Sequence, residues 1–216
     1  MNAFQVVRDF EKAVAEYTGA PHCVAVNSCT MALFLACKYL NVRTVSIPKF
    51  TYVGVPMSIL HAGGRVVFDA RNWRGSYSLN PYHIRDSARR FTSGMYGGGY
   101  ECLSFHWSKI LGIQQGGAIL HDNEDADKWL RKARFDGRSE GVPPKEDTLD
   151  SLGWHCYMSP EIAAEGLVRL SFLPKHNPDL PNSDYPDLSK LKIFREQRSL
   201  PRSAETTAAY STTLCD

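Results

Sequence analysis

Apolar residues recur along this chain first at helical and then at strand spacing, and the alternation repeats. Over residues 3–18, Phe4, Val7, Val14 and Tyr17 fall near one face of a helix, and Gly19 supplies its C-terminal stop. A short apolar run, Cys23-Val24-Ala25-Val26, reads as a strand. It leads through Asn27-Ser28-Cys29-Thr30 directly into a helix from Met31 to Leu40. Thr44-Val45-Ser46-Ile47 predicts a second strand, stopped by Pro48. Residues 51–61 predict a helix closed by Gly63-Gly64, and Arg65-Val66-Val67-Phe68-Asp69 a third strand.

Beyond that point the pattern weakens. Residues 70–82 are polar and aromatic without a period. His83-Ile84-Arg85-Asp86 predicts a short strand ending in a carboxylate, and residues 93–100 form a Gly-rich loop. Two further strands, near 101–106 and 116–121, flank a loop that carries Lys109. Asp122-Asn123-Glu124-Asp125 opens a helix reaching about Phe135, with acids at its start and bases at its end. Ser159-Pro160-Glu161 starts another, continuing to Leu170, with Pro in the first turn. Strands alternating with helices predict an α/β fold, a three-layer sandwich around a mostly parallel sheet. Ligands of such sheets gather at the carboxyl ends of the strands. From Leu173 the composition shifts: prolines at 174, 178, 181, 186 and 201 punctuate a polar stretch rich in Ser and Thr near its end. The division expected is a body over 1–172 and an extended or partly disordered tail over 173–216.

Composition narrows the class. At 216 residues the chain can bury one sizeable core, and 43% hydrophobic with 22% charged residues is ordinary for a soluble globular protein. A net charge of +2 is too mild to demand a nucleic-acid partner. No apolar run approaches the roughly 20 residues of a membrane helix. The start, Met1-Asn2-Ala3-Phe4-Gln5, lacks the basic and apolar segments of a secretory signal, so a cytoplasmic location is expected. The six cysteines (Cys23, Cys29, Cys37, Cys102, Cys156, Cys215) are scattered through apolar runs with no Cys-x-x-Cys, and the histidines do not join them at zinc-ligand spacing. Buried free thiols and no metal are the expectation.

The chemistry concentrates around Lys109. Glu101-Cys102-Leu103-Ser104-Phe105-His106-Trp107-Ser108-Lys109 places a hydroxyl five residues before a lysine, and Gly116-Gly117-Ala118 opens the next apolar run. A lysine at the end of a buried strand, beside a hydroxyl and flexible backbone, suits covalent capture of a phosphorylated aldehyde.

These pieces together resemble the DegT/DnrJ/EryC1/StrS family, fold-type-I enzymes that use pyridoxal phosphate (PLP) to aminate nucleotide-linked keto-sugars. Phe10-Glu11-Lys12-Ala13-Val14-Ala15-Glu16-Tyr17-Thr18-Gly19 is similar to the family's first helix. Asn27-Ser28-Cys29-Thr30-Met31-Ala32-Leu33 is similar to its Ser-Gly-Thr-x-Ala-Leu turn, and Ile47-Pro48-Lys49-Phe50-Thr51-Tyr52 to its Pro-x-Phe-Thr-aromatic element. Ala62-Gly63-Gly64-Arg65-Val66-Val67-Phe68-Asp69 resembles the strand that follows. Ser104-Phe105-His106-x-x-Lys109 with Gly116-Gly117-Ala118 is the most diagnostic stretch, and the likeness runs from residue 3 to about 170.

The resemblance implies a role for each position. Lys109 would form the internal Schiff base, and Asp86, in Arg85-Asp86-Ser87-Ala88, would pair with the protonated pyridine nitrogen and keep the ring an electron sink. Cys29 and Thr30 at a helix start, with Ser104, would receive the cofactor phosphate. Tyr52 would lie on the face of the ring. Arg89 stands where the family has a Gln that touches the 3′-oxygen. Gly153-Trp154-His155-Cys156-Tyr157 replaces the family's Gly-x-Asn-x-Arg, which reaches the partner subunit's site, leaving His155 and Tyr157 as donors there. The family's segment between Asp69 and Asp86 is longer, and its C-terminal small domain has no counterpart here. A homodimer with shared sites is implied.

Three functions stay open on the sequence. The first is a PLP-dependent aminotransferase acting on an amino or keto group of a small or nucleotide-linked substrate. The second is a PLP-dependent lyase or decarboxylase acting on a nucleotide or a modified DNA base. For that, Lys190, Lys192, Arg195, Arg198 and Arg202 would suit a phosphate backbone, though a solvated basic tail explains such a run more simply. The third is a non-catalytic PLP-binding relative.

Overall fold

The structure, a computed structural model, describes residues 4–197. Its elements run α1 (Gln5–Thr18), β1 (His22–Val26), α2 (Cys29–Tyr39), β2 (Thr44–Pro48), α3 (Gly54–His61), β3 (Arg65–Asp69), β4 (Tyr77–Ser78), β5 (Ile84–Asp86), β6 (Tyr100–Ser104), β7 (Gly117–His121), α4 (Glu124–Ala133) and α5 (Pro160–Phe172). Local chemistry sets most of these limits. Gly19 ends α1 at φ 76°, in the left-handed region. Ser28, Asn123 and Ser159 cap α2, α4 and α5 by accepting from the amides of Met31, Ala126 and Ile162.

The main sheet has the order β1-β7-β6-β5-β4, and β2 pairs with β3 beside it. A two-way backbone bridge between Ser46 and Asn80, at 2.8 and 3.1 Å, joins the two sheets edge to edge. The α/β architecture is as predicted, but the sheet is mixed. Among the described residues β5–β6 and β2–β3 run parallel, whereas β1–β7, β6–β7 and β4–β5 run antiparallel. The reason is connection length. No helix separates β6 from β7 or β4 from β5, so the chain folds straight back instead of crossing over.

Side chains alternate across the sheet and build two cores. Val24, Val26, Cys102 and Ile119 face α2, α3 and α4. Cys23, Ala25, Leu103, Ala118 and Leu120 face α1 and α5, along with Phe10, Phe105 and Ala163. This is the expected three-layer arrangement. In α2 six successive residues, Ala32 to Cys37, are buried, because the helix packs on the sheet as well as on α3 and α4.

β1 is an edge strand whose backbone groups find side-chain partners. Ala25 N–H donates to Glu11 at 2.8 Å, the Arg134 guanidinium donates to the Ala25 carbonyl and to Glu11, and Arg131 donates to the Cys23 carbonyl at 3.3 Å. Arg134 is wholly buried and also pairs with Glu140 at 2.7 Å. The charges so arranged close an edge that would otherwise offer free donors and acceptors.

Beyond α5, residues 173–197 are mostly extended and lie against the body. Ser93 N–H donates to the Lys175 carbonyl, Leu180 N–H to the Arg89 carbonyl, and Leu188 N–H to the Lys49 carbonyl. Lys49 pairs with Asp187 at 3.0 Å, and Trp73 stacks on Tyr185. The remainder of the expected tail, with Arg198, Arg202 and Cys215, lies outside the described residues. The other five cysteines are free thiols. No helix among the described residues is long and apolar enough to cross a membrane, and none of their His, Cys, Asp and Glu side chains cluster as a metal site.

Candidate functional site

Strand register brings the predicted positions to one edge of the sheet. Gly117 begins β7 opposite both Val26, the last residue of β1, and Ser104, the last of β6. Asp86 ends β5 level with Cys102, two residues before Ser104. Asn27 and Ser28 therefore leave the sheet beside Ser104, and α2 starts there. Its first amides, on Cys29 and Thr30, point out of the helix end with no intrahelical acceptor, which makes the terminus receptive to an anion.

Glycine permits this convergence. A Cβ on Gly117 would stand 2.4 Å from the Cys29 amide nitrogen and 2.5 Å from the Ser28 carbonyl carbon. Only a residue without a side chain lets the helix terminus rest on the strand. Gly54 does the same for the next layer: its Cβ would meet the Tyr52 ring at 2.7 Å and the Thr30 hydroxyl oxygen at 2.8 Å. Tyr52, 56% exposed, thus stands beside Thr30 at the mouth of the site.

Asp86 is buried and held from two sides. Its Oδ1 accepts from Ala88 N–H at 2.9 Å and its Oδ2 from the Tyr77 hydroxyl at 2.9 Å. Burial pushes its pKa above the ordinary 3.8, opposed by the Ala88 and Tyr77 hydrogen bonds and by the charges of Lys109 and Arg89. The Cys29 thiol sits 4.0 Å from the same Oδ1 and 3.7 Å from the Cys102 carbonyl. Burial, then the Asp86 charge, holds it well up, while Lys109 pulls it down. Lys109 lies half-buried in the loop after β6, its amide donating to the His106 carbonyl at 2.8 Å. The lysine charge therefore acts on both Asp86 and Cys29. An amine, a buried carboxylate, an anion-receptive helix end and an aromatic face share one place.

Three predicted residues have other partners. The Arg89 guanidinium donates to the Pro181 carbonyl and the Ser183 hydroxyl, reaches the Tyr185 hydroxyl at 3.3 Å, and lies 5.6 Å from the Tyr185 ring centroid. Tyr157 packs edge-on to Phe4 and against Phe135, and His155 bonds Asp136 at 2.8 Å. Their segment still runs beside the site, since Asn27 N–H donates to the Cys156 carbonyl at 2.8 Å. Of the cationic run, Lys190, Lys192 and Arg195 belong to a short helical stretch near the described C-terminal limit, and Lys192 stands 4.0 Å from Glu196.

The sequence alone did not single out Tyr77 or the structural needs of Gly54. Tyr77 falls in the stretch with no period, and its partner Asp86 is known only from the fold. A large open cleft of about 1010 Å³ lies elsewhere, between α1 and α4, lined by Arg8, Glu11, Arg131 and Arg138. It includes none of the residues above.

The sequence profile of the DegT/DnrJ/EryC1/StrS aminotransferase family matches residues 2–96. The chain is 42% identical over 139 residues to the spore coat polysaccharide biosynthesis protein SpsC of Bacillus subtilis, covering 61% of this chain and 35% of that protein. It is 25% identical over 217 residues to the GDP-perosamine synthase of Caulobacter vibrioides, covering 78% and 57%. The chain thus spans between about a third and somewhat over half of these relatives. Among solved structures, the sugar aminotransferase CalS13 from Micromonospora echinospora superposes with a TM-score of 0.64 at 21% identity, over 78% of this chain and 60% of that one. The protein NtdA from Bacillus subtilis, solved with bound cofactor PMP, gives 0.66 at 20% identity, over 78% and 48%. Residues 2–96 thus carry a sequence likeness to the DegT/DnrJ/EryC1/StrS aminotransferase family, and the fold is that of the solved structures above.

Proposed function

We propose that this chain forms the cofactor-binding part of a PLP-dependent aminotransferase that acts on the amino or keto group of a nucleotide-linked sugar. One observation carries the reading: strand register brings the buried Asp86, Ser104 and the start of α2 to the sheet edge from which the Lys109 loop departs. The donor set fits the cofactor. The Asp86 carboxylate accepts hydrogen bonds from neutral groups, the Ala88 N–H, the Tyr77 hydroxyl and, at 4.0 Å, the Cys29 thiol, so the buried anion is suited to a protonated ring nitrogen.

The α2 amides of Cys29 and Thr30, with the Thr30 and Ser104 hydroxyls, would hold the phosphate. Tyr52 would cover one ring face, a contact worth about 0.5–1.5 kcal/mol beyond burial. Bound there, the cofactor supplies a carbonyl electrophile and a ring that accepts electrons. Lys109 Nζ would serve as nucleophile and then move protons as acid and base. Asp86 would hold the proton on the ring nitrogen.

Names of relatives support the substrate class: besides the perosamine synthase, a Campylobacter jejuni UDP-4-amino-4,6-dideoxy-N-acetyl-beta-L-altrosamine transaminase matches at 25% identity over 221 residues. Two copies would complete the site, with His155 and Tyr157 placed toward a partner; the free thiols suit a reducing, cytoplasmic setting. The test is a half-reaction. Glutamate should convert PLP-loaded protein to its amine form, and a nucleotide-linked keto-sugar should reverse the change. Release of carbon dioxide from an amine substrate, without amine transfer, would overturn the reading in favour of a lyase.

A further inference from the structure

The stretch between β3 and β5 places a tyrosine against Asp86. Tyr77, Thr51 and Asp86 are all buried. The Tyr77 hydroxyl donates to Asp86 Oδ2 at 2.9 Å and lies 2.7 Å from the Thr51 hydroxyl. Tyr77 has one proton and directs it at the carboxylate, so Thr51 must be the donor in the second bond. The two hydroxyls form a short chain ending on the carboxylate. Trp73 packs edge-on against the Tyr77 ring at 4.7 Å, and its indole N–H donates to the Phe50 carbonyl at 2.9 Å, so the ring is fixed from behind.

We propose that Tyr77, backed by Thr51, is a positioning residue that holds Asp86 ionised and oriented toward the cofactor nitrogen. The proposal rests on the functional reading above but concerns this chain's own hydroxyls. Every charged or titratable group acting on Asp86 enters the balance. Tyr77 comes from β4, Cys29 from the start of α2, Cys102 from β6, Lys109 from the loop after β6, and Arg89 from the turn after β5. Of these, Tyr77 makes the short bond, a hydroxyl donating at 2.9 Å, whereas the Cys29 thiol, a weak donor, stands at 4.0 Å. Burial, with the Asp86 charge, holds its pKa well above 10.0, so it remains a protonated donor throughout the working range. A hydrogen bond to a buried anion is stronger than one between neutral groups.

The test follows the Asp86 carboxyl by carbon-13 NMR in unliganded protein, with Asp86→Asn used to assign the signal. In Tyr77→Phe the Asp86 titration midpoint should rise by about one pH unit or more, and in Thr51→Val by a smaller step in the same direction. PLP affinity, measured separately, should fall roughly tenfold in Tyr77→Phe, the factor that corresponds to one such unit. Unfolding midpoints monitor the fold, and Thr51→Val keeps the test alive should Tyr77→Phe not fold. An unchanged or lowered midpoint in the folded variants would overturn the proposal even if PLP binds. Failure of wild-type protein to bind PLP would overturn the functional reading while leaving the midpoint shift standing.

Discussion

Gly117 and Asp86 show how single residues set this site. A methyl group on Gly117 would collide with backbone, which cannot turn aside as a side chain can. Gly117→Ala should therefore lower stability by about 1–3 kcal/mol in denaturant unfolding, because β7 and the start of α2 must separate. Asp86 gives a pH signature. Its folded pKa lies above 3.8, so between the unfolded and folded values the native state holds the extra proton. Stability then falls as pH rises through that window, and Asp86→Asn should flatten this part of the curve. Unfolding free energy measured from pH 3.5 upward checks it; an unchanged slope would contradict the desolvated carboxylate. Asp86 and Lys109 stood out in the sequence through the motifs that carry the family resemblance, Arg85-Asp86-Ser87-Ala88 and Ser104-Phe105-His106-x-x-Lys109. Tyr77 did not, since its role exists only once β4 folds back on β5.

At the scale of elements, alternation and caps foretold most of what formed. The helices around Val7–Val14 and Ala126–Leu130 and the strands at Val24 and Ile119 stand where the pattern put them. Strand direction was not legible in the same way, since apolar runs such as Ala118-Ile119-Leu120 look alike whichever way they pair. Nor was the closing of the β1 edge, which joins Glu11 to Arg134 across 123 positions in sequence. That cluster makes a clear prediction. Glu11→Ala leaves the Arg134 guanidinium buried with less compensation, and Ala25 N–H unpaired. Stability should fall by about 3–5 kcal/mol. A loss below about 1 kcal/mol would mean that the edge is closed some other way.

For the whole molecule, the segment after α5 matters as much as the sheet. Residues 173–197 cross from the α1 side to the β2–β3 pair, and Arg89 is their midpoint anchor. Arg89→Ala should speed hydrogen exchange at the Leu180 and Tyr185 amides while the β7 amides stay protected, which mass spectrometry can follow. Composition alone flagged this segment as tail-like, because prolines and polar residues hide the spaced contacts of Asn177, Tyr185 and Asp187. The account as a whole depends on Lys109 meeting an aldehyde at this edge. Equimolar PLP followed by borohydride reduction and peptide mass mapping tests it most directly. The pyridoxyl group should be fixed on Lys109 and absent from Lys109→Ala. Equal labelling of exposed lysines such as Lys12 and Lys128 in both proteins, with none specific to Lys109, would contradict it.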